Sequence, residues 1–309
     1  MDLNLFRRLV QTLISLATNG YLLFPFTQDI YKGPLKAVCH PGLNCYACPG
    51  ALLSCPVGAI QNFLGAIRLY SGAVPQVGGV VLGYLGFIGV MVGRVPCGWL
   101  CPFGFIQDLL HKIPSPKFSL WRPLRWVKYV VLVGLVILAP LFLVDQVGLG
   151  HPWFCKLICP AGTLLGAFPL LAIKPTLWQN LGFWFWNKVF WLLVIVVGAI
   201  LISRFFCRLL CPLGAFYSLF NRISLVKLDF VEGNCVHCLA CVPACPTGVR
   251  AYEERDSREC ILCLRCVQAC RFGALDFGLR RSVPAPRKHA VVEPPRGTSG
   301  PALVRGKKS

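Results

Sequence analysis

Acidic residues are scarce in this chain: 12 Asp and Glu stand against 31 Lys and Arg, and only 14% of the 309 residues are charged. Soluble domains usually carry about a quarter charged residues, so a mostly soluble fold is not expected. No signal peptide with a small-residue cleavage site is visible. Arg7 and Arg8 precede an apolar run too long for the core of such a peptide, which reads as a retained first span. No Cys-x-x-Cys-His sequence occurs, which argues against covalent haem c. The net charge of +19 would suit nucleic acid in a soluble protein. Here the basic residues lie in short loops between apolar runs and in the tail, where the positive-inside bias accounts for them, and no nucleic-acid partner is expected.

What is present is apolar surface and cysteine: 56% hydrophobic residues and 18 Cys. Crossing a bilayer takes roughly 20 apolar residues. The candidate spans are Leu9–Phe26, Val77–Gly93, Trp126–Val144 and Phe183–Ser203, the first weakened by Gln11, Thr12, Ser15, Thr18 and Asn19. Arg94, Lys112, Lys117, Arg122 and Arg125 follow the second span, and Arg204, Arg208, Arg222 and Lys227 the fourth. With Arg7 and Arg8, this places both termini in the cytoplasm of a multi-pass inner-membrane protein. Two shorter apolar pieces, Val57–Leu69 and Ala161–Ile173, read as re-entrant or interfacial helices.

A Cys-Pro-x-Gly element leads into an apolar helix after each span: Cys55-Pro56-Val57-Gly58, Cys101-Pro102-Phe103-Gly104, Cys159-Pro160-Ala161-Gly162 and Cys211-Pro212-Leu213-Gly214. Three carry a second cysteine four residues earlier, at Cys97, Cys155 and Cys207. Recurrence of this kind indicates internal duplication. Proline suits the first helical turn, so each cysteine stands at a helix N-terminus, where free N–H groups stabilise a thiolate or a cluster. Parity puts Cys97, Cys101, Cys207 and Cys211 on the cytoplasmic side, the four thiolates one [4Fe–4S] cluster needs. The other face holds Cys155 and Cys159 with Cys39, Cys45, Cys48 and Cys55. A possible outer cluster is assigned to Cys48, Cys55, Cys155 and Cys159, with Cys39 and Cys45 left over as a potential disulfide. A competing arrangement has Cys39, Cys45, Cys48 and Cys55 binding a cluster alone.

The densest signal is C-terminal. Cys235-x2-Cys238-x2-Cys241-x3-Cys245-Pro246 is followed by Cys260-x2-Cys263-x2-Cys266-x3-Cys270. This is the bacterial two-cluster run, in which the fourth cysteine of each motif ligates the other motif's cluster. Cys235, Cys238, Cys241 and Cys270 are expected to hold one cluster, and Cys260, Cys263, Cys266 and Cys245 the other. The expected fold is therefore an α-helical membrane protein, internally duplicated, with four transmembrane helices plus re-entrant helices and a C-terminal α+β ferredoxin domain. The boundaries read 1–225 for the membrane domain, 226–282 for the ferredoxin domain and 283–309 for a disordered basic tail.

These spans, the segments Cys97-Gly-Trp-Leu-Cys101-Pro102 and Cys207-Arg-Leu-Leu-Cys211-Pro212, and the eight ferredoxin cysteines resemble the NapH-type quinol dehydrogenase subunits. The same core is similar to that of the NosR and FixG/CcoG proteins. The resemblance implies electron relay between the quinone pool or a cytoplasmic donor and a partner redox protein. Its cofactors would be two ferredoxin [4Fe–4S] clusters, one or two further clusters and possible quinone. An alternative is an assembly, metal-reducing or redox-regulatory factor for a respiratory enzyme. Asp108 and His111, at i and i+3 beyond Cys101, are the candidate quinone-site proton acceptors.

Overall fold

The structure is a computed structural model that describes residues 2–67, 73–146, 148–254 and 256–279. The tail expected from Val283 onward lies outside the described residues.

Helix α1 (Leu3–Thr18) is built the opposite way round from a helix on a soluble core. Arg7 and Gln11 are 0% and 1% exposed, whereas Leu13 and Leu16 are 63% and 64% exposed. Asp2 caps its start by accepting the Asn4 N–H at 3.1 Å. Its end is set locally: the Thr18 hydroxyl donates to the Ile14 carbonyl at 2.8 Å, and the Asn19 amide to the Ser15 carbonyl at 3.2 Å. Such side chains compete with the helical ladder. The run expected over Leu9–Phe26 therefore starts earlier and stops at Thr18, and only a single turn, Phe24–Thr27, follows.

The next elements are α2 (Pro56–Ala66), α3 (Ala73–Val92), α4 (Val95–Trp99) and α5 (Pro102–Leu110). After them come α6 (Arg122–Phe142), α7 (Trp153–Leu157), α8 (Gly162–Ile173) and α9 (Phe183–Leu201). The helices before the C-terminal unit end with α10 (Phe205–Leu209) and α11 (Pro212–Phe220). Among the described residues, α6 and α9 are long and apolar enough to cross a membrane, while Gly78–Val92 and Gly162–Ile173 are apolar but shorter. α6 is not uniform: Leu132–Leu138 is π-helical.

Helix α5 packs against α1 and α9, and α11 packs against α3 and the first half of α6, so the two helices that follow Cys101 and Cys211 are central. The C-terminal unit is organised by an antiparallel pair, β1 (Val226–Phe230) with β2 (Leu275–Leu279), in the register Val226↔Leu279 to Phe230↔Leu275. It closes a small core of Leu228, Ala251, Leu262, Cys266 and Leu275. The loops carrying the cysteines lie between these strands. They are pinned to the helical domain by Asn221, whose amide donates to the Ser257 and Cys260 carbonyls at 3.0 and 2.7 Å.

Candidate metal centres

The Cys-Pro-x-Gly elements at Cys101 and Cys211 make helix caps with sulfur in the role usually taken by oxygen. The residue before a proline is pushed out of the helical region, and Cys55, Cys101 and Cys211 are all extended, with φ of −79°, −75° and −72°. Proline then opens the helix, and the glycine two residues beyond it offers its N–H back to the sulfur. The Gly104 and Gly214 N–H groups reach Cys101 and Cys211 Sγ at 3.4 Å. The Gly58 and Gly162 N–H groups lie toward Cys55 and Cys159 in the same sense, without a cap hydrogen bond at Cys55.

On one side the structure brings Cys97, Cys101, Cys207 and Cys211 into mutual electrostatic reach, all four buried. The two halves exchange arginines here. Arg204 Nη1 lies 3.2 Å from where a Cβ on Gly104 would sit, and Arg94 Nη2 lies 3.1 Å from the same point on Gly214. Both arginines are 0% exposed. Arg204 also donates to the Cys97 carbonyl at 2.5 Å. Arg94 reaches the Arg258 carbonyl at 2.7 Å and Glu259 at 3.4 Å, and Lys128 shares Glu259.

On the other side Cys55, Cys155, Cys159 and Cys45 interact. Cys45 Sγ lies 3.8 and 3.4 Å from the positions a Cβ would take on Gly162 and Gly166. Cys48 sits next to Cys45 but turns to Asn19 Oδ1 at 3.7 Å, with Lys36 Nζ on its carbonyl at 3.4 Å. Of the four cysteines assigned to an outer cluster from sequence, Cys55, Cys155 and Cys159 gather, Cys45 lies among them and Cys48 stands beside Cys45. Cys39 pairs its backbone with Ser54, and Cys39 and Cys45 are both free thiols, so the expected disulfide is absent. Lys188, on α9, approaches Cys159 and Cys45.

In the C-terminal unit Cys241 has Cys235, Cys238 and Cys270 as its sulfur neighbours, while Cys266 has Cys260, Cys263 and Cys245. The residues flanking the second cysteine of each motif are left-handed: His237 and Leu239 at φ 52° and 59°, Leu262 and Leu264 at 47° and 60°. Non-glycine residues seldom adopt this conformation. Repeated on both motifs, it turns successive N–H groups inward around one space, an anion-binding concavity suited to a cluster.

An inorganic cluster fits these sites on the chemistry of the donors. Burial pushes the Cys45 and Cys207 thiols up to about 12, a shift that a bound cation at these sites would oppose. Arg94 Nε and Nη2 are buried without a partner beside the thiolates, where the sulfides of a cluster would accept.

Asp108 has a different occupation from the one expected. Its carboxylate takes Arg204 Nε at 2.9 Å and Nη2 at 2.8 Å, with Arg7 at 3.2 Å and Arg265 at 3.7 Å. Burial alone would raise its pKa, but Arg204, Arg7 and Arg265 outweigh it and hold the carboxyl below the usual carboxylate range. A carboxylate so engaged is an anchor and not a ready proton acceptor. His111 points Nδ1 at the Ile200 carbonyl at 3.2 Å. Sequence reasoning missed Arg94, Arg204 and Glu259 as site residues. One signal was available, since Arg94 and Arg204 each stand three residues before the first cysteine of a pair.

The chain matches a 4Fe-4S binding domain family over residues 77–120, 128–174 and 184–230, and a second 4Fe-4S binding domain family over 228–250. An uncharacterized protein of Methanocaldococcus jannaschii is 30% identical over 231 residues, covering 72% of this chain and 76% of that protein. The methylamine utilization ferredoxin-type protein MauN of Paracoccus denitrificans is 28% identical over 174 residues, 55% of this chain and 53% of its own. The regulatory protein NosR of Pseudomonas aeruginosa is 29% identical over 133 residues, 38% of this chain and 15% of its own. No solved structure matches.

Proposed function

This chain belongs to the NapH/NosR-like family of 4Fe-4S ferredoxin-type electron-transfer proteins, and from that premise we propose that it is a membrane-embedded relay with its cysteine sets arranged in series. Iron–sulfur electron transfer and several [4Fe–4S] clusters are properties of the family. The serial arrangement, the ligand sets and the topology are our reading. Cys235, Cys238, Cys241 and Cys270 would form the exposed terminal. Cys245, Cys260, Cys263 and Cys266 would form the next set, Cys97, Cys101, Cys207 and Cys211 the inner membrane set, and Cys45, Cys55, Cys155 and Cys159 the outer one. Bound clusters supply one-electron exchange at each set.

One observation carries the proposal: the second ferredoxin loop is packed directly on the turn between Cys97 and Cys101. Trp99 Nε1 donates to the Leu262 carbonyl at 2.9 Å, and a Cβ on Gly98 would meet the Ile261 carbonyl at 2.5 Å. Cys263 shares one buried core with Cys97, Cys101 and Cys211. A second contact supports extension toward the outer face. A Cβ on Gly42 would lie 2.9 Å from Cys101 Cα, the Tyr217 hydroxyl donates to the Pro41 carbonyl at 3.1 Å, and the Leu43 N–H lies toward the Cys101 sulfur. Cys45 follows Leu43 by two residues, a reach of roughly 7 Å at full extension. That is short against a hydrocarbon core of ~30 Å.

In this reading α1 and α3 join α6 and α9 as four lipid-facing helices. The outward Leu13 and Leu16 of α1, with its polar side turned inward, support membrane contact there. The domains divide near residue 225, both termini are cytoplasmic, and a redox partner meets the exposed Cys238. Anaerobic iron and sulfide analysis with EPR tests the whole. Four clusters per chain is expected; three leaves the outer set without a role, and two refutes membrane-domain clusters. The similarity to the regulatory protein NosR favours a regulatory second reading. Membranes given a quinol analogue discriminate, since cluster reduction supports the relay and none supports regulation.

A further inference from the structure

Two glutamines outside the cysteine motifs make the same pair of contacts at the two membrane sets. Gln107 Nε2 donates to Cys207 Sγ at 3.0 Å, and its Oε1 accepts the Phe206 backbone N–H at 3.0 Å. Gln61 Nε2 donates to Cys155 Sγ at 3.3 Å, and its Oε1 accepts the Phe154 N–H at 2.9 Å. Both side chains belong to fully buried residues. Each glutamine stands six residues after the cysteine of its own Cys-Pro-x-Gly element, Cys101 or Cys55. Each reaches a Phe-Cys pair at the opening of another element. The corresponding positions after Cys159 and Cys211 are Leu165 and Tyr217. The repeat thus has two kinds of unit, one that donates a glutamine and one that receives it. The rule joins Cys55 to Cys155 and Cys159, and Cys101 to Cys207 and Cys211. The matched 4Fe-4S segments begin at residue 77, so the glutamine also identifies the unmatched Cys55–Gln61 segment as a fourth unit.

We propose that Gln61 and Gln107 are equivalent positioning residues, each fixing the first cysteine of a receiving unit and raising the reduction potential of the cluster held there. Reduction adds one electron's charge to the cluster and its thiolates. An N–H aimed at a ligand sulfur favours the reduced state more than the oxidised one, and in a buried site little solvent screens the effect. A clamp with no electronic role would need only the Oε1 contact to the backbone. Both contacts recur in the two halves, as does an Nε2 contact to the glutamine's own helix, at the Val57 carbonyl (3.3 Å) and the Phe103 carbonyl (3.5 Å); the contact to sulfur is the one that reaches a cysteine of the set.

The inference rests on the reading that clusters occupy these sets, so iron content of the unaltered chain is measured first; a count lacking the membrane clusters refutes that reading before any variant is compared. Gln107→Glu, Gln107→Leu, Gln61→Glu and Gln61→Leu are then titrated in the full chain by EPR-monitored potentiometry. Glutamate keeps an oxygen for the Phe N–H and loses the N–H toward sulfur but can add a negative charge, so the neutral leucine variant must lower the midpoint as well for the fall to be assigned to the lost N–H. The expected result is a lower midpoint for the inner cluster alone in Gln107→Glu and for the outer cluster alone in Gln61→Glu. The matching exchangeable deuteron coupling should vanish from pulsed EPR in D2O. Unchanged midpoints with iron retained overturn the proposal. So does cluster loss in both variants at one site, which would make that glutamine a scaffold only. Where the leucine variant alone loses its cluster, the deuteron coupling decides, and its absence from the unaltered chain overturns the proposal.

Discussion

Replacing Asp108 with asparagine should weaken the whole assembly, because one carboxylate holds three parts of the chain. It pairs with Arg7 from α1, Arg204 before α10 and Arg265 from the ferredoxin unit, and the side chains of Arg7 and Arg204 are 1% and 0% exposed. Asp108→Asn is nearly isosteric and leaves one oxygen for Arg204, so the loss is chiefly of charge. Removing one partner of a buried ion pair costs about 3–5 kcal/mol, since the other charge is left uncompensated. With roughly 2–4 °C per kcal/mol for a domain of 150–250 residues, the expected fall in Tm is roughly 6–20 °C. The assay is loss of cluster absorbance during heating in detergent at one fixed scan rate. Asp145→Asn is the control, because the His151–Asp145 pair at 2.6 Å is 36% and 51% exposed and such pairs contribute about 0–1 kcal/mol. If Asp108→Asn lowers Tm no more than Asp145→Asn does, the anchoring argument is wrong.

Other consequences are equally open to measurement. Cys45→Ser should remove ~4 iron per chain, one [4Fe–4S] equivalent, while Cys48→Ser should leave iron content unchanged; the reverse result would restore Cys48 to the outer set. Gly214→Ala would place a methyl group 3.1 Å from Arg94 Nη2 and should cost about 1–3 kcal/mol as an overpacked site, read as a lower Tm; Gly79→Ala, with nothing within 4 Å of its Cβ, should have no such effect. The Asp108 carboxyl is held below its usual range, so its contribution is fully present above the unfolded value of about 3.9 and is lost as pH falls through the lower folded value. The Tm difference between the unaltered chain and Asp108→Asn should therefore stay constant from about pH 5 to 8, and a change across that window would contradict the pairing. Trp99→Phe removes the bond to the Leu262 carbonyl, worth about 1 kcal/mol, and should slow electron entry to the inner set from the ferredoxin clusters in stopped-flow reduction.

The features legible in the sequence were those fixed by neighbours along the chain. The Cys-Pro-x-Gly cap follows from proline's constraint on the residue before it and a glycine N–H two residues beyond the proline, so four copies announced four helix starts. The Cys-x2-Cys-x2-Cys runs likewise specify a wrap around one cluster, since the left-handed residues at His237, Leu239, Leu262 and Leu264 lie within the motif itself. What only the tertiary structure decided depends on segments far apart. Whether Cys45 or Cys48 faces Cys159 turns on how the loop lies against Gly162 and Gly166, and both cysteines satisfy the spacing equally. The position of Arg94 and Arg204 three residues before a cysteine pair is visible in the sequence, but their exchange across the two halves and the capture of Asp108 by three arginines are not, because a charge chooses its partner by burial and approach. The first apolar run misled for the same reason. Counting apolar residues from Leu9 ignored that Arg7 and Gln11 are stabilised by the Gly98 carbonyl, a group that only folding brings beside them.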